Sequence, residues 1–261
     1  MKNLRRLSAL VLFLSAFSFV SCDTEPVDPV LLDNVNNPEN PGNPGNNPNN
    51  PTNPGTSDGS YWPLAVNNEW VFDIEDEGES TMLLTGTQTI DGNLYYTSST
   101  GFVDAGTGDF TGESSTGVRH NNGDYSMRIS VDIPDQEGMQ ITVSPYEYTL
   151  LKDYLEPGQS WVEDLQQTTS YQVEGVTIPP IVMDIHVESI IQEKGISVDV
   201  NGTTYEDVIK VKQTMVYGGE LGNVTNMTVY IWFAKNVGPI KSESQGGGFT
   251  SSSTLVSYTL N

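Results

Sequence analysis

Asp184, His186 and Glu188 alternate with the apolar residues Ile181, Met183, Ile185 and Val187. On an extended strand such alternate side chains project from one face about 7 Å apart, so an imidazole flanked by two carboxylates could supply part of a metal site. A solvated polar face gives the same pattern. The other histidine, His120, sits in no recognisable motif, and only these two could act as the base of a serine triad. Gly55-Thr56-Ser57-Asp58-Gly59 has the spacing of a hydrolase elbow, but that elbow requires a strand-to-helix turn, and here the segment precedes the first strand. Carboxylates crowd at Asp73, Glu75, Asp76, Glu77 and Glu79, and Asp104 with Asp109 frames a Gly-rich loop. Calcium takes roughly six to eight oxygen ligands, which such loops can offer, although neither group has the spacing of a known calcium loop. The carboxylate pair of a glycosidase is defined in space rather than in sequence and stays open.

Aromatic residues are the other candidates. Trp62, Trp70, Trp161 and Trp232 recur near the ends of strand-like segments, together with Tyr95, Tyr96, Tyr146, Tyr148 and Tyr230. A concave sheet lined by such rings could hold a lipid, a glycan or an apolar peptide. Tyr95, Tyr96, Tyr146, Tyr148, Tyr230 and Trp232 are the candidate ligand-binding residues on that reading. The alternative is that the rings, the tryptophans above all, form the core.

Cys22 is the chain's one cysteine. Lys2, Arg5 and Arg6 precede an apolar run from Leu7 to Val20, the layout of a secretory signal. A spanning helix needs about 20 apolar residues, and this run ends at Ser21, Cys22 and Asp23. Ser21-Cys22 resembles the lipobox of bacterial lipoproteins, in which the cysteine is acylated and the preceding peptide removed. Phe19 stands where that family has leucine. The resemblance implies a signal over 1–21 and a membrane anchor at Cys22, with ordinary secretion or an uncleaved anchor as the alternatives. An exported chain with one cysteine has no internal disulfide, so its fold depends on its core.

The chain carries 34 acidic and 11 basic residues, a net charge of −23. With Lys2, Arg5 and Arg6 in the signal, eight basic residues remain after Cys22, and the net charge there is −26. This balance excludes ordinary nucleic-acid binding, which neutralises phosphates with basic groups. It also disfavours a surface that embraces anionic headgroups.

These candidate groups must be positioned by something. Asn34 to Ser57 holds ten asparagines and six prolines in 24 residues, too little apolar surface to offset the entropy of ordering. Residues 22–60 are therefore read as an acidic, then Asn/Pro/Gly-rich disordered tether. It reaches about 35 Å as a coil and ~120 Å in polyproline II. From Tyr61 the pattern becomes β. Trp70, Phe72 and Ile74 alternate with Val71, Asp73 and Glu75, and Tyr125, Met127, Ile129, Val131 and Ile133 with Ser126, Arg128, Ser130 and Asp132. Asp91-Gly92 and Asn201-Gly202 are hairpin-turn dipeptides. Val229, Ile231 and Phe233 alternate with Tyr230 and Trp232, so this strand is apolar on both faces and must be central or covered. No long window carries a helical stripe. The prediction is a single, mostly antiparallel all-β domain over 61–261, a strongly curved sheet or half-barrel, with a sandwich as the alternative.

Tyr61-Trp62-Pro63-Leu64-Ala65-Val66-Asn67-Asn68-Glu69-Trp70 resembles the opening of many uncharacterised lipoproteins of Bacteroidetes and flavobacteria, Y-x-P-L-x-V-G-N-x-W. Leu155-Glu156-Pro157-Gly158-Gln159-Ser160-Trp161, Gly202 to Val211 and Trp232 to Lys241 resemble later landmarks of the group, in the same order. Asn67, Asn236 and Pro239 depart from its usual residues. The resemblance covers nearly all of 61–260 and implies a half-barrel-like antiparallel sheet, with no activity attached. Asp23, Glu25, Asp28 and Asp33 follow the cysteine closely. In Bacteroidetes-type lipoproteins a similar acidic start goes with export to the cell surface, whereas in enterobacterial ones an aspartate after the cysteine favours the inner membrane.

Two functional readings follow. One is an outer-membrane lipoprotein, on the cell-surface or the periplasmic face, whose β domain binds a ligand or an envelope protein without catalysis. The other is an envelope hydrolase acting on glycans through carboxylates or His186.

Overall fold

Alternating apolar and polar residues, broken by Asn-Gly and Asp-Gly pairs, build hairpin after hairpin. The computed structural model describes residues 59–98, 113–134, 139–173, 176–219 and 225–261. The signal, Cys22, the tether up to Asp58, most of the Gly55–Gly59 segment and the Asp104/Asp109 loop lie outside the described residues. The strands are β1 (Glu69–Ile74), β2 (Gly78–Ile90), β3 (Asn93–Ser98), β4 (Glu113–Asn121), β5 (Asp124–Asp132), β6 (Met139–Val143), β7 (Tyr146–Lys152), β8 (Ser160–Val173), β9 (Val176–Val200), β10 (Thr203–Gly219), β11 (Thr225–Ala234), β12 (Gly238–Gly246) and β13 (Phe249–Thr259). All pair antiparallel in one sheet of order β6-β8-β9-β10-β11-β12-β13-β1-β2-β3-β4-β5-β7. The all-β expectation holds, and the single sheet replaces the sandwich alternative.

Asp91-Gly92 and Asn201-Gly202 turn as expected, with both residues of each pair at positive φ. Asn122-Gly123 does the same between β4 and β5. Positive φ at two successive residues is the signature of a type I′ turn, whose twist matches that of the strands it joins.

The sheet curls until its last strand meets its first ones. β7 ends the strand order, yet the backbone N–H of Thr149 on β7 donates to Glu163 Oε2 on β8 at 2.8 Å. Gln213 Nε2 on β10 donates to the Thr149 carbonyl at 2.9 Å and to Ser189 Oγ on β9 at 2.8 Å. β6 and β7 are consecutive and separated only by Ser144-Pro145, but β6 pairs with β8 while β7 pairs with β5. The backbone ladder therefore stays open between β7 and β8, and side chains bridge the gap.

Inside the curl lie Trp70, Phe72, Met82, Leu84, Val118, Met127, Leu150, Ile185, Val211 and Ile231, all buried. The strand with two apolar faces, β11, is both central and covered. Its inner face packs Val229, Ile231 and Phe233 into the core. Its outer Trp232 is buried as well. The β9–β10 hairpin folds back across the outer surface, where Asn201 Nδ2 donates to the Leu255 carbonyl on β13 at 3.0 Å. Gly195 and Asp207, both at positive φ, and register shifts around Val208 give this hairpin its bend.

Candidate functional site

One end of the curl is capped by the segment that leads into β1. The Tyr61 N–H donates to the Tyr125 hydroxyl on β5 at 2.9 Å, and the Asn236 N–H in the β11–β12 turn donates to the Ser60 carbonyl at 2.6 Å. These bonds stretch the cap across the end. Trp62 fills it, edge-on to Trp70 with ring centroids 6.4 Å apart and 5.9 Å from Phe233. Such aromatic pairs add about 0.5–1.5 kcal/mol beyond burial and fix the ring orientation. The Trp70 indole N–H donates to the Val237 carbonyl at 2.7 Å, which ties the same turn to β1.

Between the cap and β3–β4 opens a pocket of about 350 Å³ lined by Ser60, Trp62, Leu64, Leu94, Tyr96 and His120. The volume lies at the small end of ligand pockets, enough for one ring or a short chain. Alternation places Leu94 and Tyr96 on one face of β3, and the register opposes Tyr96 to Val118, two residues before His120 on β4. The type I′ turns at 91–92 and 122–123 end these strands beside the pocket.

His120 is committed to its own turn. Its Nε2 accepts the Gly123 N–H at 3.0 Å, so Nδ1 carries the proton, and the ring stacks on Tyr125 at 4.3 Å. A lone pair held by a backbone amide is not available as a general base. Burial lowers the His120 pKa below its ordinary 6.5, against the opposing pull of Asp153 and Asp124. The sign follows from linkage: the unfolded chain takes up the proton first, so stability present above about pH 6.5 is lost as the pH falls from there through the folded value. His120→Gln keeps an acceptor without a titrating ring. It should flatten this part of the stability–pH curve in thermal unfolding, and a slope equal to that of the wild type would refute the assignment.

The sequence-predicted groups are scattered. Of the six ligand candidates, Tyr96 lines the pocket. Tyr95, Tyr148 and Trp232 are only 4%, 3% and 7% exposed, so the expectation that all six rings face a ligand narrows. Tyr95 donates its hydroxyl to Glu147. Tyr146 and Tyr148 stack at 6.2 Å, and burial raises the pKa of both phenols. Tyr230 lies on the outer face, with Lys210 Nζ 5.3 Å from its ring, and Lys210 and Lys241 flank Trp232 at 4.9 and 4.8 Å.

Asp184, His186 and Glu188 face outward, opposite the buried Ile185 and Val187. His186 Nδ1 meets Asp164 Oδ1 on β8 at 2.6 Å, and Asp184 accepts from Gln166 Nε2. Asp164 is 81% exposed, so the pair stands on a solvated face. Among the described residues no three His, Cys, Asp or Glu side chains are grouped to hold a metal. The acidic cluster from Asp73 to Glu79 forms the exposed β1–β2 hairpin, where Glu75 accepts from Ser252 Oγ.

Sequence reasoning passed over Ser60, Leu64, Leu94 and the role of His120. The Asn122-Gly123 pair was the available signal, since a type I′ turn there places His120 at the end of its strand.

No protein-family model matches the chain, and no curated protein matches it. Two solved structures are similar. A candidate lipoprotein from Parabacteroides distasonis aligns with a TM-score of 0.47 and 10% identity, covering 77% of this chain and 99% of its own. A candidate exported protein with a YmcC-like fold from Bacteroides fragilis aligns with a TM-score of 0.43 and 15% identity, covering 77% and 100%.

Proposed function

We propose that this chain is a lipoprotein of the bacterial outer membrane, anchored through Cys22, whose β domain binds a small ligand of mixed polarity without catalysis. The carrying observation is the pocket lining: two aromatic rings, two leucines, a serine and a histidine whose lone pair is already taken. Among the described residues no carboxylate lines it, which weighs against glycoside hydrolysis there. His186 and Asp164 pair on an open, solvated face, and a hydrolase would need its acid and base gathered in a cleft that excludes water. The reading includes no cofactor, and an envelope protein rather than a free ligand could present the bound group.

The test has two arms. For the anchor, Cys22→Ala should shift the protein almost entirely from the membrane to the soluble fraction and remove the acyl mass, because stable anchoring rests on more than one buried chain. Retention in the membrane with unchanged mass would sink that arm. For the pocket, native mass spectrometry of protein purified from its own membranes should show a bound small molecule that Tyr96→Ala releases. An empty wild-type protein, or one whose ligand survives the substitution, would exclude binding at this site.

A further inference from the structure

Arg119 and Arg128 are the only arginines after Arg6 in a chain of net charge −23. They stand together. Arg119 on β4 opposes Ser126, and Arg128, two residues further along β5, opposes Gly117, so the arginines are diagonal neighbours on one face. Glu147 on β7 lies directly opposite Arg128.

Glu147 is nevertheless used up by others. Its Oε1 accepts from Arg119 Nε at 2.7 Å and Nη2 at 2.6 Å, and its Oε2 accepts the Tyr95 hydroxyl. Arg119 stays protonated: burial opposes its charge, but the hydrogen bond and charge of Glu147 outweigh burial and raise its pKa. Arg128 is left with no carboxylate paired to it among the described residues: its charge acts on Tyr95, and its Nε is buried without a hydrogen bond. Leaving a buried charged donor unmade is costly, and a native fold keeps such a group where something else completes it. Gly117, directly across the ladder, offers no side chain to do so, and a Cβ there would press on Tyr95 at 3.3 Å.

We propose that Arg128, steadied beside the Arg119–Glu147–Tyr95 group, is a recognition site for a single carboxylate on a small ligand. A guanidinium presents paired donors to a planar carboxylate. The local balance is two positive groups against one negative, while the field of the whole chain repels polyanions, so a ligand with one carboxylate is favoured over an acidic polymer. The carboxylate of an acidic sugar and that of a small organic acid share this chemistry.

The ¹⁵N–¹H signal of Arg128 Nε reports on the state of its guanidinium in the detergent-solubilised protein and is assigned by its loss in Arg128→Lys. Titration with acetate or glucuronate should move it saturably, whereas glucose and chloride at matched ionic strength should not. Tighter binding of glucuronate than of acetate would identify an acidic sugar, and equal binding a small organic acid. Arg128→Gln, with its unfolding transition unchanged, should weaken carboxylate binding by at least about tenfold, followed at the Gly117 amide. The proposal is overturned if the Arg128 signal moves no more than in chloride, or if Arg128→Gln binds as the wild type does.

Discussion

Gly123→Ala should destabilise the domain by about 3–5 kcal/mol in denaturant unfolding, through backbone strain and overpacking together. Gly123 sits at φ 93° in the β4–β5 turn. A Cβ there would strike Asp153 Oδ1 and would approach Tyr154 Cδ1 to 2.8 Å. Asp153 is buried and its N–H donates to the Gly123 carbonyl at 2.9 Å, so neither side of the contact can retreat easily. The Gly123 N–H also anchors His120, and His120 stacks on the tyrosine that holds the cap. Damage at this turn should therefore spread to the pocket. Gly202→Ala is the control, because Gly202 occupies the same position of the same turn type at φ 79° with nothing within 4 Å of a Cβ. It should show the backbone penalty alone, about 1–2 kcal/mol. Equal losses in the two variants would show that packing against Asp153 and Tyr154 contributes nothing.

The same backbone logic explains where the chain departs from the lipoproteins it resembles. Asn67 and Asn236 stand where that group has glycine, and their φ values are 72° and 62°. Asparagine is among the few residues that tolerate this region, so the substitution keeps the turn. Pro239 falls beside the register shift at Trp232/Phe233, where a missing N–H is tolerated because the ladder is already interrupted. The matched segments are thus the parts that shape one end of the curl: the cap, the β11–β12 turn and the edges they tie. They were legible because alternation and turn chemistry are local. Strand faces followed from the same period, and β11 betrayed its covered outer face by its apolar Tyr230 and Trp232.

What could not be read was anything that depends on how far the sheet curls. Arg119, Arg128 and Glu147 meet only because β7 pairs with β5. Gln213 and Thr149 are far apart in sequence and belong to strands at different places in the strand order, and no local pattern links them. His186 and Asp164 likewise needed the β8–β9 register before the pair could be named. Polar residues on inward-facing positions, such as Ser189 and Gln213, look like breaks in a strand pattern when the opposing strand is unknown. In the fold they are the contacts between the two ends of the sheet.

Glu163 makes the clearest test of that seam. The register that pairs β6 with β8, from Met139↔Val173 to Val143↔Thr169, would carry on to place Thr149 opposite Glu163. Instead of a backbone carbonyl, the Glu163 carboxylate takes the Thr149 N–H, and its other oxygen takes the Thr149 hydroxyl at 2.9 Å. Glu163→Ala would leave a shielded amide without an acceptor and open space beside it, a loss of about 2–4 kcal/mol. Glu163→Gln should be far milder, since an amide can accept the N–H and donate to the hydroxyl. The two differ further in pH dependence. Burial raises the Glu163 pKa above its ordinary 4.5, and the Thr149 bonds and Lys152 only partly offset this. For a carboxyl raised on folding, the favourable contribution is complete below the unfolded value and is lost as the pH rises through the folded one. Wild type should therefore lose stability relative to Glu163→Gln as the pH climbs from about 4.5 through the raised folded value, and then run parallel to it. Unfolding midpoints of both proteins across that range decide the matter: parallel curves throughout would mean that the seam is held by a carboxylate that water still reaches, and that the two edges of the sheet are not sealed by it.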